Sequence, residues 1–271
     1  MKSDIDIDAL LRRLSLANTR RMWRDLVAKA EAEEWSYQDF FAILLAEEVA
    51  HRQQTRLQKL TRKARFPFLK TIDDFDFTFQ STLRASLLGS FLSPDFVTDG
   101  RAVILAGRPG RGKTHLAIAI AYRAIQNGFD ARFTTCAALI DELSRASIDG
   151  YLSAALTTYV QPHVLVVDEV GYLSYGTDAA NLLFHVVNER NLKRRAMIFT
   201  TNKSLKQWGR VLHDEDLADA IVDRILERGR LLLLDGPSLR TRHIDPSELQ
   251  DQPAIVSGTP RPSFPEPTPP T

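Results

Sequence analysis

Cysteine is all but missing. The 271 residues hold one, Cys136, so no disulfide can form within the chain, and its place just past an apolar, strand-like run suits a small packing residue better than a nucleophile. The six histidines fall at no metal-ligand spacing, which excludes a His/Cys metal centre. No apolar run approaches the roughly 20 residues of a membrane span. The start, Met1-Lys2-Ser3-Asp4-Ile5-Asp6-Ile7-Asp8, also lacks the basic-then-apolar order of a secretory leader, so a cytoplasmic protein with no membrane partner is expected. Excess charge of either sign is missing too: 35 Lys and Arg against 34 Asp and Glu leave a net +1. That argues against a globally basic DNA-coating protein but leaves room for a local basic face. A chain of this length, 44% apolar and 25% charged, can bury a full core and suggests one large domain, alone or with a smaller appendage.

What is present divides the chain into unequal parts. Residues 1–65 read as a helical N-terminal domain, a candidate for DNA or partner binding: Leu10, Leu11, Leu14 and Leu26 recur on a helical schedule. Ser36 with Asp39 resembles a capping box opening a second helix that carries Phe40, Phe41, Ile43, Leu44 and Leu45 towards a core. Residues 66–100 form an aromatic linker (Phe66-Pro67-Phe68, then Asp73-Asp74-Phe75-Asp76-Phe77) and the entry to the next domain. Residues 101–244 alternate apolar strands with helices. Candidate strands at 102–106, 131–135, 164–167, 196–201 and 230–234 imply an α/β domain with a five-stranded parallel sheet covered on both faces. Residues 245–271 hold most of the prolines and read as a disordered tail. There is no internal repeat.

Directly after the first of those strands comes Gly107-Arg108-Pro109-Gly110-Arg111-Gly112-Lys113-Thr114, which fits G-x-x-x-x-G-K-[ST], and His115 and a run of good helix formers follow. Strand, loop and helix in that order make a phosphate-binding loop. Glycines let backbone N–H groups turn towards phosphates, Lys113 brings a positive charge to the β and γ phosphates, Thr114 offers a hydroxyl to Mg²⁺, and the helix start adds its dipole. The third strand ends in Asp168-Glu169, a Walker B pattern: Asp168 would hold Mg²⁺, and Glu169 would orient and deprotonate the attacking water. Asn202, at the tip of the fourth strand, reads either as a turn residue or as a ligand to the γ-phosphate or the water. Arg224 follows apolar positions 221 and 222 and precedes 225 and 226, so it points away from the core. It is either a surface arginine or an arginine finger reaching a neighbouring subunit. Arg240, beyond the last strand, could touch phosphates within its own subunit.

Between His51 and Arg65 there are six cationic side chains and no acid, and Arg52, Arg56, Lys59 and Lys63 share one helical face. Such a face is either a solvated helix surface or a sequence-independent contact to DNA phosphates.

The chain resembles the IstB-like ATPases, helpers of insertion-sequence transposition related to the DnaC helicase loaders and DnaA initiators of the AAA+ class. The resemblance covers nearly everything except the tail. It rests on Glu34-Trp35-Ser36-Tyr37, Phe75-Asp76-Phe77, Gly112-Lys113-Thr114-His115-Leu116-Ala117, Asp168-Glu169-Val170-Gly171-Tyr172, Leu182-Leu183-Phe184, Thr201-Asn202-Lys203 and Trp208-Gly209. It implies an AAA+ fold, ATP and Mg²⁺ as cofactors, and ATP hydrolysis. Asn202 would take the sensor-1 role, Arg224 that of a finger, Arg240 that of sensor 2, and Phe75 would lie near the adenine. It further implies a homo-oligomer with intersubunit ATP sites on double-stranded DNA, which is delivered to a partner transposase. Two alternatives are a helicase-loader-like replication ATPase, and a nucleotide-gated DNA-binding module with little turnover. The chain departs from the family pattern in having Arg108 and Arg111 in the phosphate loop and only Arg145 as a basic residue between Leu143 and Val164.

Overall fold

The computed structural model describes residues 6–79, 85–172 and 175–237; Arg240 and the proline-rich tail lie outside them. Three helices come first: α1 (Ile7–Arg13), α2 (Ala17–Ala32) and α3 (Tyr37–Ala64). Ser36 starts α3 as the sequence suggests, its Oγ accepting the Asp39 N–H at 3.1 Å. Two short helices, α4 (Ala85–Leu92) and α5 (Asp95–Thr98), lead into strand β1 (Ala102–Ala106). Then come α6 (Lys113–Gln126), β2 (Ala131–Thr135), α7 (Cys136–Ile148), α8 (Leu152–Val160), β3 (Val164–Val170), α9 (Ala179–Leu192), β4 (Ala196–Thr201), α10 (Trp208–Leu212), α11 (Glu215–Leu226) and β5 (Gly229–Leu233).

All strand pairs are parallel, in the order β2-β3-β4-β1-β5. Because side chains alternate along a strand, the inner strands β1, β3 and β4 feed two cores. Ile104, Leu165, Val167, Met197 and Phe199 face the layer of α7–α11. Val103, Leu105, Val164, Val166 and Ile198 face the layer of α4, α5 and α6. The buried runs of these inner strands are therefore apolar on both faces, whereas the edge strands β2 and β5 carry Arg132 and Arg230. Cys136 is fully buried at the start of α7. Burial pushes its thiol up to about 12 against the smaller opposing effect of the Tyr175 hydroxyl, in keeping with a packing role.

The later part of 66–100 enters the core, where Leu88, Phe91, Phe96 and Val97 are buried. Helix α3, about 42 Å long at 1.5 Å per residue, ends at Ala64 with Arg65 as its left-handed cap, and its last turns reach the second core, where Ala64 is buried and Leu57 and Leu60 pack. One expectation is corrected: Phe41 and Leu45 do not face a core but are 59% and 42% exposed. The short α1 and the α2 hairpin cover only one side of α3, which takes the partly buried Phe40, Ile43 and Leu44.

Candidate nucleotide site

The C-terminal edge of a parallel sheet is where loops leave the strands free to surround a ligand. A cavity of about 300 Å³ lies there, lined by residues 109–115, Glu169, Tyr172, Thr200, Thr201 and Asn202, with Phe68 and Lys70 from the preceding segment. Gly112 opens α6 at φ +83°, a conformation that costs an L side chain about 1–2 kcal/mol. This turn aims the first N–H groups of α6 at the cavity. Lys113 Nζ donates to the carbonyls of Gly107 (2.7 Å) and Arg108 (2.9 Å), which holds its charge at the loop.

Asp168 is 5% exposed. Its carboxylate accepts from Thr114 Oγ1 at 3.0 and 3.1 Å and from Thr200 Oγ1. A hydroxyl and a carboxylate held side by side are hard oxygen donors of the kind Mg²⁺ takes. Mg²⁺ is commonly held by one or two protein oxygens, with phosphate oxygens and water completing its shell. Thr114 and Asp168 therefore fit as ligands to Mg²⁺.

Glu169 adopts φ +62°, an uncommon region for a residue with a side chain. A β-bulge between Val167 and Val170 accompanies this kink, and it leaves Asp168 buried but Glu169 exposed at the cavity. The kink is pinned from both sides. Glu169 N–H donates to Thr200 Oγ1 at 2.9 Å, and Tyr175 Oη donates to the Glu169 carbonyl at 3.2 Å. One hydroxyl, that of Thr200, thus joins both acids. Asn202 Oδ1 is buried with no hydrogen-bond partner among the described residues. An orphaned acceptor at a polar cavity calls for a donor from a ligand or a water.

His115 fastens the preceding segment to α6. Its Nε2–H donates to the Thr71 carbonyl at 2.9 Å, and burial, with the nearby Lys70, holds its pKa below the usual histidine range despite the Thr71 bond and Asp74. Phe75 packs edge-on against His115, centroids 5.2 Å apart, and against Phe77 at 4.9 Å. At 4% exposure Phe75 belongs to the core and does not line the cavity. Phe68 and Lys70 are the residues this segment brings there, and sequence reasoning missed both because no local pattern marks them.

Arg224 projects from α11 with its side chain 48% exposed, 3.7 Å from Glu227, and takes no part in the cavity of its own chain. Ile221 and Ile225 are buried beside it, and Val222 and Leu226 pack on the core, as the sequence pattern requires. The cations of α3 are distributed differently from a free face. Arg52 donates to Glu48 (2.8 Å) and to the Ser15 carbonyl (2.7 Å), Arg56 to the Gly128 carbonyl (2.8 Å), and Lys63 to Asp130 (2.8 Å). Lys59 is exposed. All four remain within reach of solvent, and two of them tie α3 to the loop before β2.

A five-stranded parallel sheet in this order, with a phosphate loop after β1 and an Asp-Glu pair after β3, defines an AAA+ type P-loop nucleotide-binding protein. Solved structures agree on the fold. The DnaC helicase loader matches with a TM-score of 0.50 over 61% of this chain and 96% of its own, at 24% identity. DnaA from Aquifex aeolicus, in its AMPPCP-bound form, matches with 0.51 over 66% and 54%, at 19% identity. The chain belongs to the IstB-like ATP-binding protein family, whose model matches residues 9–247. Among relatives, the ATP-binding protein of insertion sequence IS5376 from Geobacillus stearothermophilus is 36% identical over 85% of this chain and 91% of its own length. That of insertion sequence IS21 from Pseudomonas aeruginosa is 33% identical over 88% and 89%. No described helix is long and apolar enough to cross a membrane.

Proposed function

We propose that this ATP-binding protein hydrolyses ATP and uses the cycle to assemble as a homo-oligomer on duplex DNA and to present that DNA to a partner transposase. The observation that carries the hydrolytic part is the kinked end of β3, where Asp168 is held against Thr114 while Glu169 is turned to the cavity that Asn202 also lines. Bound Mg²⁺ would neutralise phosphate charge at Thr114 and Asp168. Lys113 and the α6 N-terminus stabilise the charge that develops on the phosphates, Asn202 Oδ1 accepts a hydrogen bond from the attacking water, and the Glu169 carboxylate accepts its proton. The exposed position of Arg224 supports a role towards a neighbouring copy. The insertion-sequence names of the relatives and the cations on α3 support the DNA reading.

The test pairs two variants. Lys113→Ala should lose nucleotide binding, whereas Glu169→Gln should bind ATP normally, lose turnover at least 100-fold, a typical general-base contribution, and accumulate the DNA-bound assembly. Wild-type turnover in Glu169→Gln would contradict the mechanism. For DNA, Lys59→Glu is the cleanest α3 probe, because unlike Arg56 and Lys63 it does not also tie α3 to the core.

A further inference from the structure

The opposite end of the same sheet carries a second cavity, of about 400 Å³, lined by Arg101, Arg228 and Arg230 together with Asp99. Its arginines are brought together by backbone geometry. The Ala102 N–H donates to the Arg228 carbonyl at 3.2 Å and the Met197 N–H to the Arg101 carbonyl at 3.1 Å, so the segments entering β1, β4 and β5 run side by side. Arg228 and Arg230 flank Gly229, so their side chains leave the chain on the same face. Two glycines permit this crowding. A Cβ on Gly229 would lie 2.2 Å from the Ile225 carbonyl oxygen, and one on Gly100 would lie 2.4 Å from the backbone carbon of Arg194. Any other residue at either position would force apart the segments that carry Arg101, Arg194 and Arg228.

The cations outnumber the local acids. Arg101 donates to Asp99 at 3.0 and 2.6 Å. Arg228 lies 3.7 Å from Glu227 and donates to the Asn191 carbonyl at 3.3 Å. These contacts hold two guanidinium groups half-buried at the cavity, with side-chain exposures of 39% and 34%. Arg230 is exposed and has no ion pair among the described residues. Three guanidinium groups against the one lining carboxylate leave the cavity cationic.

A planar guanidinium fork matches phosphate oxygens two at a time. The cavity is open to solvent, Phe91 in its wall is buried, and Ser90 is its sole neutral polar side chain. We propose that this edge is a second phosphate-binding site, distinct from the ATP cavity at the other end of the strands, and that it takes the phosphodiester backbone of a nucleic acid. The inference rests on the reading that the chain binds DNA, but it uses residues far from the cations of α3.

The experiment measures binding of the full chain to a labelled duplex of about three helical turns, by fluorescence anisotropy across a series of salt concentrations. Arg230→Glu should weaken binding about ten-fold and lower the slope of log affinity against log salt by about 1 or more, while ATP turnover stays at the wild-type rate. Arg101→Gln should weaken it in the same direction, which guards against a fold-specific effect of one variant. Unchanged affinity and slope in both variants would overturn the site, and loss in Lys59→Glu alone would leave the α3 reading standing without it. Should the wild-type chain bind no duplex, the DNA reading fails separately. Inorganic tripolyphosphate added to the Lys113→Ala chain then tests the edge by itself. Binding that Arg230→Glu abolishes keeps the phosphate site and overturns its nucleic-acid occupant, and no binding overturns both.

Discussion

Replacing Thr200 by valine keeps the volume of a fully buried side chain and removes one hydroxyl. That hydroxyl donates to Asp168 and accepts from the Glu169 N–H at 2.9 Å. A hydrogen bond to a charged group is worth about 1.5–3 kcal/mol, and a buried N–H left without a partner costs about 1–3 kcal/mol. The two losses share one atom and the kink can relax, so they do not simply add, and Thr200→Val should destabilise the ATPase domain by about 2–4 kcal/mol. The effect on turnover is separate. With its N–H released, Glu169 loses one of the two bonds that pin its left-handed backbone, and kcat should fall at least ten-fold, equivalent to about 1.4 kcal/mol. KM for ATP should change little, because Lys113 and the loop are untouched. Urea unfolding followed by circular dichroism gives the stability, and steady-state phosphate release gives kcat and KM. Thr200→Ser restores the hydroxyl and should recover most of both. A valine variant of wild-type stability and turnover, or a serine variant as impaired as valine, would refute the role assigned to this hydroxyl.

Two further predictions concern buried charge. Arg190 is completely buried and donates to the carbonyls of Tyr159, Val160, Pro162, His163 and Ala196, at 2.6 to 3.3 Å. Burial pulls its pKa down to about 9, with a smaller push from Arg195, which leaves it charged at neutral pH. Arg190→Leu would strand those acceptors and should cost about 3–5 kcal/mol; an unchanged melting temperature would contradict this. Glu48 is 4% exposed. Burial raises its pKa, but the Thr19 N–H, the Arg52 guanidinium and the Thr19 hydroxyl outweigh that and hold it below the ordinary 4.5. Because the folded value lies below the unfolded one, its stabilisation is complete above about pH 4.5 and is lost as pH falls through the folded pKa. Unfolding of the helical region, followed through Trp23 and Trp35 fluorescence, should show this acid limb. Glu48→Gln should be less stable at pH 7 and lack the limb, and an identical pH profile would exclude Glu48 as its source.

The class of fold and the nucleotide loop are legible in the chain through short-range rules. Apolar runs mark strands covered on both faces, Gly112 with Lys113 and Thr114 marks a loop that only a phosphate explains, and Ser36 marks a helix start. These depend on backbone conformation and periodicity within a few residues. The five expected strands accordingly match the observed ones to within a few residues at their ends. Which side chains meet depends on long-range packing. Phe75 and Phe68 are both aromatic residues of one segment, yet packing against His115 buries the first and leaves the second at the cavity. Phe41 and Leu45 look like core residues on α3 but have no layer to cover them, because α1 and α2 supply only one side. The Thr200 bridge joins residues 31 and 32 positions apart, and the arginine edge gathers residues 101, 228 and 230. Both exist because parallel strands bring distant chain segments into register, a distance effect that no local pattern encodes.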